Sequence, residues 1–260
     1  MYAFDFERPS TIAEAVAALQ DEDAQALGGG QTLIPTLKQR LASPSKLVSL
    51  SGIAEMKGVS IEGGVLTIGG GATHAEVAAD ACAPLAALAA NIGDPAVRNR
   101  GTIGGSLANN DPSADYPAAM LALGATIITN TREIAADDFF QGMFTTALEE
   151  GEIITSVRID VPPGGANYQK FEQPASRFAL VGVFVARTAN GVRVGVTGAS
   201  EDGAYRWSEA EEALNKEFRE DALMDLRPNP AIMIEDLHGS REYRAHLVRV
   251  LTKRAVAAIG

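Results

Sequence analysis

Cysteine is nearly absent from this 260-residue sequence. Cys82 stands alone, so the chain can form no internal disulfide and cannot hold a metal cluster through several of its own cysteines. Within DACAPLAALAA it reads as a small core residue. Histidine is almost as scarce: His74, His238 and His246 share no metal-ligand spacing, so no metal site is expected. Long apolar runs are also missing. The stretch FALVGVFVA, Phe178 to Ala186, falls well short of the roughly 20 residues that a membrane-spanning helix needs, and no basic and apolar leader follows Met1. No membrane span and a cytoplasmic location are therefore expected. Positive charge is outnumbered, with 22 Lys and Arg against 33 Asp and Glu and a net charge of −11. Such a surface repels a phosphate backbone, which argues against nucleic acid as a partner. There is no G-x-S-x-G elbow, no Walker sequence and no Ser, His and Asp arrangement, so no catalytic side chain is assigned. Any chemistry then belongs to a bound cofactor.

What is present is an ordinary globular composition, 46% hydrophobic and 21% charged. Thr11 and Glu14 form a capping box ahead of the helix former AEAVAALQ. A short strand at Ala24–Leu27 runs into GGGQT, followed by a helix over TLIPTLKQRLA and a strand at Lys46–Leu50, together a compact β-Gly-loop-α-β unit. The runs GVSI and VLTIG, separated by EGG, predict a hairpin. Pro84 divides the alanine-rich stretch after Thr73 into two helices. Beyond it lie strands at ATIIT and GEIITSVRIDVP. The last third reads as strands YQKFEQ, FALVGVFVAR and GVRVGVTGAS, then a helix around SEAEEALNKEF and a final basic helix after Ser240, an α+β pattern.

Three glycine clusters invite a functional reading. Gly28–Thr32 lies between a strand and a helix, where the backbone can approach a phosphate closely, although Leu33 breaks the G-x-G-x-x-G fingerprint. Arg100–Ala118, RGTIGGSLANNDPSADYPA, reads as a long loop with few charges, whose hydroxyls, amides and Asp115 suit a nucleotide. Two phosphate-competent loops imply one ligand with two phosphates. The third run, IGGGATHAEV, reads as a strand end and a helix cap, with Thr73 and Glu76 as another capping box.

These stretches, with NIGDPAVRN and YQKFEQPASRFALVGVFVA, resemble in order the FAD-binding medium subunit of molybdenum hydroxylases, the carbon monoxide dehydrogenase and xanthine dehydrogenase family. The resemblance implies FAD contacts at Leu27, Gly28, Gly29, Gly30, Gln31, Thr32, Leu33 and Ile34. In the second motif it implies Thr102, Ile103, Gly104, Gly105 and Ser106, the serine standing where the family has an asparagine. It adds Ile92, Asn109, Asp115, Ile154 and Lys170, with Glu172 at the same position in the alternative register. The implied fold is α+β, a two-part FAD-binding region followed by a C-terminal α+β domain, divided as 1–55, 56–165 and 166–260. The implied function is electron transfer through FAD, from [2Fe-2S] clusters on a small partner subunit to an external acceptor. A large partner would carry the molybdenum-pterin cofactor, the whole being a dimer of heterotrimers. A stand-alone FAD-dependent reductase or oxidase of related fold is the alternative.

Overall fold

A computed structural model describes residues 1–260. Three main sheets follow one another along the chain, with a further small two-stranded one. In the first, β1 (Asp5–Glu7), β2 (Ala24–Leu27) and β3 (Lys46–Ser49) are parallel in the order β1–β3–β2. Helix α1 (Ile12–Ala18) starts at the expected capping box, the Thr11 hydroxyl accepting from the Glu14 N–H at 3.2 Å. Helix α2 (Leu33–Lys38) joins β2 to β3, completing the β-Gly-α-β unit. It stops before the expected Ala42 because Arg40 is left-handed, at φ 60°.

The second sheet is antiparallel and carries the largest core. Its strands β4 (Val59–Glu62) and β5 (Val65–Gly69) form the expected hairpin, turning on Gly63 and Gly64 at positive φ. Strands β6 (Thr126–Thr129) and β7 (Glu133–Ala135) follow, then a separate small hairpin of β8 (Phe140–Gly142) and β9 (Thr145–Thr146), then β10 (Ile154–Asp160). The order is β4–β5–β10–β6–β7. Between β5 and β6 lie α3 (His74–Asp80), α4 (Ala83–Ala90), α5 (Pro95–Arg98), α6 (Ile103–Asn109) and α7 (Asp115–Leu123). Pro84 sits in the first turn of α4, where its missing N–H costs nothing. Helix α8 (Ala136–Phe139) links β7 to β8.

Strands β11 (Ala166–Phe171), β12 (Val181–Thr188), β13 (Gly191–Thr197) and β14 (Tyr205–Arg206) make the third sheet, antiparallel in chain order. Side chains of β12 alternate: Val181, Val183 and Val185 join the core beneath α9 (Ser208–Lys216) and α10 (Arg241–Ile259), while Phe184 and Ala186 join the core shared with α7. Helix α7 therefore lies between two apolar layers, and all its residues are buried. A Cβ on Gly195 would overlap the carbonyl of Ala118, so glycine there allows α7 to press onto β13. No helix is long and apolar enough to cross a membrane. The architecture is α+β.

Arg100–Ala118 is not the long loop its composition suggests. It holds all of α6 and the start of α7. The Thr102 hydroxyl accepts from the Gly105 N–H at 3.1 Å and caps α6, and left-handed Asn110 ends it. The glycines serve close packing rather than looseness: a Cβ on Gly104 would sit 2.5 Å from the carbonyl oxygen of Gly70.

Candidate functional site

The glycine clusters meet in space. A Cβ on Gly29 would overlap the carbonyl of Arg100, and one on Gly28 would lie 3.0 Å from the Thr102 hydroxyl. Gly104 rests on Gly70, and Gly70 in turn on the carbonyl of Ile154. Bare backbone at each contact brings four chain segments together beside a cleft of about 1040 Å³. That size suits a large organic ligand.

The two motifs contribute differently to this cleft. The N–H groups of Gly28, Gly29, Gly30, Gln31 and Thr32 donate to no protein acceptor, a row of free donors at the start of α2. In the second motif the backbone is already engaged: Ile103 N–H donates to Ala72 O at 3.0 Å and Gly104 N–H to Gly70 O at 2.9 Å. Its gift to the cleft is side chains. Ser106 and Asn109 line the wall, and neither side chain has a protein partner. Of the residues implied by the resemblance, Leu27–Leu33, Ile92, Thr102, Gly104, Gly105, Ser106, Asn109, Asp115, Ile154 and Lys170 all line the cleft. Ile34 and Ile103 do not. Ile34 packs under Gly30, its own N–H bonded to Gly30 O, and Ile103 is sealed in the main core.

A buried ion pair also lines the cleft. Asp115 is 3% exposed, and its Oδ1 lies 3.0 Å from Lys170 Nζ and accepts from the Tyr168 hydroxyl at 2.5 Å. Lys170 also donates to Asn91 O at 3.0 Å. Burial pushes the Asp115 carboxyl up, and Lys170 and Tyr168 oppose that shift. The same burial, together with the Asp115 charge, raises the Tyr168 hydroxyl well above its ordinary range. Lys170, not Glu172, holds the cleft position, since β11 ends at Phe171 and Glu172 is exposed.

The run IGGGATHAEV reads in the sequence only as a strand end and a helix cap, yet its Gly70, Gly71 and His74 line the cleft, as do Lys57 and Phe144, which lie in no motif. The cap at Thr73 forms as expected, yet the same run also walls the site. His74 opens α3 against Gly101, a Cβ there lying 2.5 Å from its Nε2, with the Tyr116 ring 5.3 Å away. Burial, aided by the Arg98 charge, lowers its pKa to about 4, so the ring is neutral at pH 7. Only its helix-start position beside a glycine run could have pointed to it.

Free backbone donors on a glycine loop, a second polar wall and a deep ion pair define a site for an extended anionic ligand, a dinucleotide in size and chemistry. Residues 2–162 match the family of FAD binding domains in molybdopterin dehydrogenase. The medium chain of carbon monoxide dehydrogenase from Afipia carboxidovorans is 37% identical, across 98% of this chain and 96% of that one. The medium subunit of nicotine 6-hydroxylase from Paenarthrobacter nicotinovorans is 32% identical, across 99% and 98%. The reconstituted carbon monoxide dehydrogenase of Oligotropha carboxidovorans superposes with a TM-score of 0.90 at 34% identity, covering 98% of this chain and 97% of that one. The chain belongs to the FAD-binding medium subunits of molybdenum hydroxylases, the oxidoreductase family of carbon monoxide and xanthine dehydrogenases.

Proposed function

We propose that this chain is the electron-transfer subunit of a multi-subunit molybdenum hydroxylase. It takes electrons from [2Fe-2S] clusters on a small partner and passes them to an external acceptor, while a large partner carries the molybdenum-pterin cofactor. The assembly is a cytoplasmic dimer of heterotrimers. The observation that carries this reading is the stack of Gly28 and Gly29 on Arg100–Thr102 beside a row of free N–H donors, in a chain 37% identical to a carbon monoxide dehydrogenase medium chain.

The residues present fit FAD. The N–H groups of Gly28–Thr32 would hold the pyrophosphate, with the Ser106 hydroxyl and Asn109 amide as further partners. Asp115 and Lys170 present an acceptor and a donor fixed by each other and by Tyr168, suited to a ribose hydroxyl or a polar ring edge. Leu27, Ile92 and Ile154 supply apolar wall. The bound flavin supplies redox chemistry that can exchange electrons singly or in pairs. The chain positions, hydrogen-bonds and shields, and we assign it no acid or base of its own. The divisions 1–55, 56–165 and 166–260, which bracket the three sheets, are proposed as its domains.

The test is a titration of the purified full chain, and of its complex with co-expressed partners, with FAD. The expected result is flavin absorption that stays with the protein, an unfolding midpoint that rises with FAD concentration, and co-elution of FAD with molybdenum and iron in the complex. No retained flavin and no stabilisation in either preparation would overturn the reading.

A further inference from the structure

Phe144 stands out among the cleft residues that no motif singles out. It sits at the turn between β8 and β9 in the left-handed conformation, φ 54°, although it is not glycine. That conformation is strained in a residue with a Cβ, and such residues concentrate at functional sites. The residue is 56% exposed, an unfavourable display of apolar surface, and it lines the cleft together with Leu148 and Asn109.

The turn is held rather than loose. Asn110, only 1% exposed and itself left-handed, donates from Nδ2 to Gly142 O and to Thr145 O, both at 2.8 Å. Phe144 N–H donates to Asn110 O at 3.0 Å, closing a three-bond clamp around the turn. At the base of the hairpin, Phe140 meets the buried Phe139 edge to face, ring centroids 5.1 Å apart. A buried side chain is thus committed to fixing an exposed aromatic in a strained conformation.

Asn110 is also the last residue of a shared structural unit. Helix α6 (Ile103–Asn109) is capped at its start by Thr102, against Gly28, and at its end by Asn110. Its seven residues span about 10 Å, comparable to the reach from a nucleotide's phosphate across its sugar to its ring.

Resting on the FAD reading above, we propose that Phe144 is the aromatic wall of the cleft, its ring packing on one of the two flat heteroaromatic rings of bound FAD, and that Asn110 is its positioning residue. Ring stacking of this kind is sequence-tolerant and needs no hydrogen-bond partner, which accords with the absence of polar groups on the Phe144 side chain. The left-handed backbone of Phe144 and the Asn110 clamp hold the ring at the cleft, where it can pack on a flat ligand ring.

The test measures FAD affinity and the bound-flavin absorption and circular dichroism spectra for the full chain and its variants. Phe144→Ala is expected to weaken FAD about tenfold, and Phe144→Tyr, which keeps the ring, to stay within about twofold of wild type. ADP identifies the ring concerned. If Phe144 packs on adenine, ADP affinity falls by the same factor; if it packs on the isoalloxazine, ADP is unaffected and the flavin spectrum changes. Asn110→Asp keeps the size but loses both donors, and its effect on FAD should disappear in a Phe144→Ala background, because a positioning residue has nothing left to position. Equal FAD affinity and identical spectra in wild type, Phe144→Ala and Phe144→Tyr would overturn the proposal while leaving the FAD reading intact. Failure of the wild-type chain and complex to bind FAD would overturn both.

Discussion

Gly29→Ala lowers FAD affinity by at least about a hundredfold, and Gly29→Val by more. The added Cβ has no room, because it would overlap the carbonyl of Arg100 and come within 2.6 Å of the Gly101 Cα. Those neighbours are backbone, which cannot swing aside as a side-chain tip can. Relief requires the two loops to part, and overpacking of this severity costs about 3 kcal/mol or more, equivalent to the stated loss in affinity. Isothermal titration with FAD checks the affinity, and thermal unfolding of the FAD-free variant checks that the fold survives. Gly63→Asn is the control: Gly63 has open space around it and a left-handed conformation that asparagine tolerates, so FAD binding should be unchanged. An unaltered FAD affinity in Gly29→Ala would show that loop contact does not shape the site.

Asp115→Ala costs about 3 to 5 kcal/mol of stability, because it strands a buried cation. Lys170, with its side chain 5% exposed, would keep only the Asn91 carbonyl, and the Tyr168 hydroxyl would lose its acceptor. For a chain of this size the loss lowers the unfolding midpoint by about 10 °C. Replacing both partners, as in Asp115→Ala with Lys170→Met, removes the uncompensated charge and should recover most of the stability. FAD binding should not recover with it, since both groups line the cleft. Calorimetry of the single and double variants, followed by FAD titration, separates the two roles of the pair. If the double variant regained affinity along with stability, the pair would be scaffold only.

Local chemistry was legible where it is set by neighbours in sequence. The capping boxes at Thr11 and Thr73, the EGG hairpin turn and the two helices around Pro84 each follow from a few adjacent residues, and each forms. The parallel pairing of β2 with β3 also follows, because the glycine loop and a short helix leave little other choice. Where glycine answers to a distant partner, composition misleads. Gly104 is required by Gly70, and Gly101 by His74, contacts between segments that only the fold brings together, so a helix was read as a loop. The same limit applies to Ile34 and Ile103, whose place in a ligand motif says nothing about which way they face. Lys170 and Glu172 were equivalent by alternation alone, and the end of β11 separates them. Tyr168 reaches Asp115 only because Gly182, on the neighbouring strand, has no side chain to block its hydroxyl. Phe144 carries no sequence signal, since its significance lies in the backbone conformation and in the Asn110 clamp.

Amide hydrogen exchange on the full chain, with and without FAD, tests most directly where the cofactor lies. Exchange should slow on FAD addition at Gly28–Thr32, whose N–H groups have no protein acceptor, and around Ser106–Asn109, with little change in α9 and α10. Protection confined to other segments, with Gly28–Thr32 exchanging as fast as in the free chain, would contradict the assignment of this cleft to FAD.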